Sequence, residues 1–239
     1  MLKFSDSGIH RSTFSLIGFL LLLQTPNHAP RLKFIHPPEK TSYSWNQLVP
    51  YDVEVSDQED GDSRFQEIQS NEVLVKLKYV GNRVKESEYL KQKKFPDSAG
   101  INNMVKSNCF NCHSVKLKLA GPSFLDISKR YPNTDKNQDL MINHILKGSK
   151  GIWGTEVMPT HTELSFATAK EMVKWILNYA KDPSLNYFVG LQGSLLLAKP
   201  GESVHEGLFI VEAYYTDHGS SDNPNKKLTG SARTIIQIK

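Results

Sequence analysis

The stretch SNCFNCHS (residues 107–114) holds both cysteines of a 239-residue chain, two residues apart, with a histidine directly behind them. Three chemistries use such a pair: a redox dithiol, half of a zinc site, or covalent attachment of haem. A thioredoxin-like dithiol belongs to a βαβ unit, and neither flank here shows that alternation. Structural zinc takes four ligands, and no second cysteine pair completes the set. A c-type haem needs only what is present: two thiols for thioether bonds and an adjacent imidazole for the iron. Cys109, Cys112 and His113 therefore read as a haem attachment.

Working outward, the surrounding residues are helical. Ile101, Met104 and Val105 mark a short helix leading into the cysteines. Residues 138–147 carry Ile142, Ile145 and Leu146 on one side, with Gly148 as C-cap. The clearest helix is 166–180, where Ala169, Met172, Val173, Ile176 and Leu177 keep the i, i+3, i+4, i+7, i+8 pattern. Ser165 is placed to cap it, and Asp182-Pro183 ends it. The block from 97 to 182 has few apolar residues for an independent core, so a porphyrin would be part of what its helices pack against.

A sixth iron ligand decides between electron transfer and chemistry at an open site. The candidates are Met104, Met141, Met172, His144, His161 and Met158. Met104 and Met172 lie on apolar stripes, where packing explains a methionine. Met141 and His144 fall on the middle helix and fit core or surface alike. Met158 differs, lying in the irregular segment GSKGIWGTEVMPTHTEL with Pro159 holding the backbone extended.

The runs CFNCHSVKLKLAGPSFLDISKRY, ILKGSKGIWGTEVMPTHTELS and EMVKWILNYA, in that order, resemble a small class I monohaem cytochrome c of the short bacterial type. The resemblance covers about a third of the chain and implies an all-α haem domain. It makes Cys109 and Cys112 the thioether attachments of one covalent haem c, His113 the proximal ligand and Met158 the distal ligand. It also implies that Pro122 offers its carbonyl to the proximal imidazole and that Trp153 lies by a haem propionate, both tuning ring orientation and potential.

The flanks have a different period. Tyr51, Val53 and Val55 alternate with Asp52 and Glu54, and Val73, Val75, Leu77 and Tyr79 with Lys76 and Lys78, as in strands with one polar face. Strand patterns return in GSLLLA, LFIVEAYYTD and TIIQIK. PYDVEVSDQEDGDS followed by EVLVKLKYV resembles a PKD-type immunoglobulin-like module. With the β-rich tail, this arrangement is similar to the C-terminal regions of large secreted bacterial proteins, which often carry sugar-dehydrogenase-like domains upstream.

At the N-terminus, Lys3 and Arg11 precede an apolar run at 14–23, too short to span a bilayer and of the length of an export signal. The expected division is an export segment at 1–29, a PKD-like β module at 30–80, a charged linker at 81–96, the haem domain at 97–182 and a β-rich segment at 183–239. The fold class is thus multidomain, an all-α cytochrome c-like domain between immunoglobulin-like β segments.

The formal charge of +4 is unevenly spread: residues 52–72 hold eight acidic side chains and one Arg, residues 76–94 seven basic ones and two Glu. These blocks read as solvated faces, and no nucleic-acid partner is expected. SDQEDGDSRFQE fails as an EF-hand, since Ser56 and Gln58 stand at ligand positions. A looser carboxylate site at Asp57, Asp60 and Asp62 competes there with a plain solvated turn. Lys116, Lys118, Lys147 and Lys150 fall where a haem edge would be rimmed, as steering charges or ordinary solvated lysines. There is no catalytic triad, phosphate loop or carboxylate pair, so the chain reads as an electron-transfer protein rather than an enzyme.

The expected function is extracytoplasmic, periplasmic or secreted, one-electron transfer by a His/Met-ligated haem. The partner class is a redox protein such as a dehydrogenase or terminal oxidase, with membrane contact only if the export segment stays uncleaved. Two other readings remain: an electron-accepting subunit or tail of a secreted sugar-dehydrogenase-like enzyme, and a carbohydrate- or surface-binding module with accessory haem.

Overall fold

A computed structural model describes residues 26–91 and 99–239; the export segment expected at the N-terminus lies almost wholly outside them. The first flank contributes β1 (Arg31–His36), β2 (Ser42–Tyr43), β3 (Leu48–Asp57), β4 (Gly61–Asp62) and β5 (Leu74–Val80). Five helices follow: α1 (Arg83–Lys91), α2 (Ala99–Lys106), α3 (Phe124–Arg130), α4 (Asp135–Lys147) and, after the short pair β6 (Ser149–Lys150) and β7 (Val157–Met158), α5 (Phe166–Tyr179). The chain ends in β8 (Leu185–Val189), β9 (Gln192–Leu196), β10 (Leu208–Thr216) and β11 (Thr229–Ile238).

The two β segments are not separate modules. One sheet joins β1, β3 and β4, with β9 from the far flank pairing to β3 from Leu48↔Leu196 to Asp52↔Gln192. The other runs β2-β11-β10-β5-β8, so β5 lies between two strands of the C-terminal flank. Their inner faces interdigitate: Val49, Tyr51, Val53 and Val55 of β3 meet Val75 and Leu77 of β5 and Phe209, Val211 and Ala213 of β10. A single sandwich therefore replaces the expected division at 30–80 and 183–239. Local periodicity marks strands without naming their partners, and here the partners are over a hundred residues apart.

β5 and β8 are antiparallel neighbours, in register from Leu74↔Val189 to Lys78↔Leu185. Residues 81–184, helices included, thus fill what would otherwise be a connection between adjacent strands. The second sheet is buried on both faces for this reason. Leu74, Leu185 and Tyr187 on its outer face join the helical core with Ile101, Met104, Met172, Val173 and Ile176. Helix α1 covers Val80, Leu208 and Ile210 with Tyr89 and Leu90. The segment expected to be a linker at 81–96 is helical up to Lys91; two adjacent apolar side chains were too few to show as a periodic stripe.

Burial of this face also corrects the expected polar side of β5. Lys76 is only 7% exposed and stands 3.7 Å from Glu212 Oε2. Arg233 donates to Glu212 Oε1 at 2.7 and 3.0 Å, and the Tyr89 hydroxyl donates to Oε2. Burial alone would raise the Glu212 carboxyl; the donors from Tyr89 and Arg233 and the charge of Lys76 outweigh it and hold the group below its usual range. A charge out of water is tolerated only when paired in this way.

The acidic loop between β3 and β5 is a folded turn. Asp57 Oδ1 accepts from the amides of Glu59 and Asp60, and Asp62 pairs with Arg64 at 2.7 Å. Among the described residues no group of three or more His, Cys, Asp or Glu converges as a metal site. Asp60 Oδ2 instead accepts from Tyr215 and from the amide of His218, whose ring lies 3.1 Å from Asp60 and 2.8 Å from Glu72.

Desolvation disfavours charge on His218, but Glu72 and Asp60 overcome it and raise its pKa above the ordinary 6.5. The folded state therefore binds this proton more tightly than the unfolded chain. Its stabilisation is complete below pH 6.5 and drains as pH rises through the raised value. Urea midpoints taken between pH 6 and 8 should fall with pH more steeply for the native chain than for His218→Gln; parallel slopes would refute the clamp.

Candidate functional site

The helical domain is assembled around α5. Ser165 caps it by accepting from the Thr168 amide, and Ala169, Met172, Val173, Trp175, Ile176 and Leu177 are buried along it. Helix α2 crosses α5 at Gly100, where a Cβ would lie 2.7 Å from that of Trp175, so glycine sets this close approach. Lys106 ends α2, Asn108 turns the chain left-handed at φ 56°, and a 3-10 turn over Cys109–Asn111 presents the two thiols. Asn71 of the sandwich donates to the Asn108 side chain at 2.8 Å, steadying this turn from outside.

His113 follows directly and is fixed from two sides. Its Nδ1 donates to the Pro122 carbonyl at 2.7 Å, which selects the tautomer with a free lone pair on Nε2. Its ring stacks on Phe124 at 5.4 Å. Burial pushes the His113 pKa down, against the Pro122 hydrogen bond, and so favours the neutral, metal-ligating imidazole. Gly121 lies against the ring: a Cβ there would sit 2.8 Å from Nδ1 and 2.9 Å from Nε2. Gly121→Ala is accordingly expected to swing the imidazole off Pro122, with an overpacking cost of about 1–3 kcal/mol. The check is chemical denaturation of the haem-loaded domain, with an unchanged midpoint and spectrum counting against it.

Cys109, Cys112, His113, Pro122, Trp153 and Met158 all line one cavity of about 460 Å³. Its remaining wall is largely apolar, with Met104, Ile127, Met141, Ile145, Met172 and Ile176. The Cys109 thiol is pushed up to about 11, chiefly by burial, opposite to the lowered value of a working dithiol. The volume, the apolar lining, the free Nε2 and the paired thiols together fit a covalently held porphyrin.

Met158 is not in irregular chain as its surroundings suggested. It lies on β7, paired through Met158↔Ser149 to β6. Gly148, at φ 74°, lets the hairpin close, since a Cβ there would lie 2.6 Å from the Met158 carbonyl. Trp153 at the hairpin tip carries the Arg130 guanidinium 4.7 Å above its ring and meets Tyr131 edge-on at 6.5 Å.

Several contributors were invisible in the sequence. Lys116 is not a rim charge: its ammonium donates to the carbonyls of Ala180 and Asp182 at 2.8 and 2.7 Å, closing the C-terminal end of α5. Arg130 and Tyr131 gave no signal of their own, whereas Gly121, beside the singled-out Pro122, was within reach. Lys150 does line the cavity.

Site and fold together define a covalent haem-binding domain. The family model for cytochrome c matches residues 99–180. Cytochrome c-552 of Nitrosomonas europaea is 39% identical over 72 residues, 30% of this chain and 70% of that protein. Cytochrome c-552 of Hydrogenobacter thermophilus is 34% identical over 73 residues, 30% of this chain and 74% of the relative. Among solved structures, wild-type Nitrosomonas europaea cytochrome c552 is similar at 36% identity and a TM-score of 0.32, covering 33% of this chain and 96% of that one. The chain belongs to the cytochrome c family through this domain. It binds one haem c, attached through Cys109 and Cys112, and the domain is of the electron-carrying type.

Proposed function

We propose that the chain carries single electrons outside the cytoplasm, through a haem iron held by His113 on one side and Met158 on the other. The supporting observation is that the CxxCH turn and the Met158 hairpin line the same apolar cavity. In this reading Cys109 and Cys112 tether the ring, and Pro122 fixes the tautomer and orientation of the proximal imidazole. Trp153, with Arg130 4.7 Å from its ring, would lie by the haem carboxylates.

When bound, the haem supplies the one-electron couple between ferric and ferrous iron; a thioether ligand favours the reduced state and raises the potential. Held by His113 and Met158, the iron would have no room for substrate, and the electron would pass at the exposed edge of the site. Cys112 is exposed there, and Val157 is 61% exposed beside Met158. A redox protein docking at that edge is the partner, a dehydrogenase or a terminal oxidase. The apolar run at 14–23 supports export, and no described helix is long and apolar enough to cross a membrane.

An optical and near-infrared spectrum of the purified chain tests this reading. It is expected to show haem c bands and the Met-to-iron charge-transfer band; lack of the second would remove Met158 as ligand.

A further inference from the structure

We infer that His161 is a reserve axial ligand, built to take the haem iron when Met158 leaves it; this rests on the proposed role of Met158. His161 lines the haem cavity three residues past Met158 and is 19% exposed. His113 lines the same cavity. The cavity thus holds a second imidazole besides His113 on the segment that carries the thioether.

Its surroundings resemble those of a metal-bound histidine more than those of a solvated one. The backbone amide of His161 donates to the Ile145 carbonyl at 3.2 Å, pinning the loop to α4. The ring Nδ1 lies 2.9 Å from Glu163 Oε1. The Glu163 side chain is 61% exposed, and an exposed carboxylate is ionised at neutral pH. An ionised carboxylate only accepts, so Nδ1 carries the proton and Nε2 keeps its lone pair. A carboxylate behind a histidine fixes its tautomer and strengthens it as a ligand. Among the described residues Nε2 makes no hydrogen bond.

The exchange is balanced without any redox partner. One iron–sulfur bond breaks, one iron–nitrogen bond forms at Nε2, and no electron or proton leaves the site. The iron stays six-coordinate and closed to small ligands, at a lower potential than with the thioether. His144 also lines the cavity, on α4. It has no carboxylate behind it among the described residues, and only burial acts on it, lowering its pKa.

The test uses the haem-loaded full chain as Met158→Leu, with Met158→Ala as the second background if the leucine variant does not retain a folded haem domain. Electron paramagnetic resonance and carbon monoxide binding to the reduced protein are read in each. Bis-histidine, low-spin iron with slow carbon monoxide binding is expected. Adding His161→Ala should give high-spin iron and carbon monoxide binding faster by an order of magnitude or more, while adding His144→Ala should leave the low-spin state intact. High-spin iron in both Met158 backgrounds, or a low-spin state lost with His144 rather than His161, would overturn the proposal. The native spectrum is recorded separately, so loss of the Met158 assignment there is distinguishable from failure of His161 here.

Discussion

A variant with alanine at both Cys109 and Cys112 is expected to carry no covalent haem and to lose the helical fold of residues 99–180 while keeping its sandwich. The haem cavity measures about 460 Å³. At roughly 24 cal/mol per Å³, leaving it unfilled would cost about 11 kcal/mol as an upper limit, since the cleft is open to water on one side. Domains are stable by only about 5–15 kcal/mol, so a fraction of that cost empties the folded state. The sandwich core of β3, β5, β9 and β10 is a separate cluster and does not touch the cavity. Far-ultraviolet circular dichroism should show the helical signal gone and a residual cooperative β transition. A variant that keeps native helicity without haem would show that the helices do not need it.

The second large effect is expected at Trp175. Its side chain is 3% exposed and stands between the domains, edge-on to Phe124 at 6.2 Å and to Tyr187 of β8 at 5.5 Å. Phe124 in turn stacks on His113, so three rings join the His113 imidazole to the second sheet. Trp175→Ala removes the central one and should cost about 3–5 kcal/mol. Unfolding followed by haem absorbance should shift to much lower denaturant than unfolding followed by the β signal, where the native chain should give coincident curves. A double-mutant cycle with Tyr187→Leu should return a coupling of about 0.5–1.5 kcal/mol. Zero coupling with coincident transitions would mean the ring contact is incidental.

How much of this could be read in advance depends on the range of each signal. Cys109, Cys112 and His113 were named from one contiguous motif, Met158 from the loop that carries it, and Pro122 and Trp153 from the family resemblance; all six line one cavity. Helix α5 was legible from its stripe and its Ser165 cap. What escaped was set by distant partners. Lys76 looked solvated because Glu212, the carboxylate that offsets its charge, is far along the chain. Strand β10 is buried from Leu208 to Tyr215, Glu212 included, because it is covered on both faces, by the first sheet and by α1. Lys116 turned inward because the open carbonyls at the end of α5 attract a cation that no local pattern announces.

The placement of the helices between β5 and β8 sets an order of assembly. As the chain is made, β5 appears long before β8 and β10, its neighbours on either side, so the second sheet has no centre until residues 81–184 have emerged. Bringing Val80 and Leu185 together across a free chain of that length carries the entropy of a long loop. A haem-filled insert shortens that loop, because α5 delivers Asp182 to Lys78 at 3.1 Å and Trp175 to Tyr187. Cofactor loading would then act as a timing signal, hastening closure of the sandwich in chains that have received their haem.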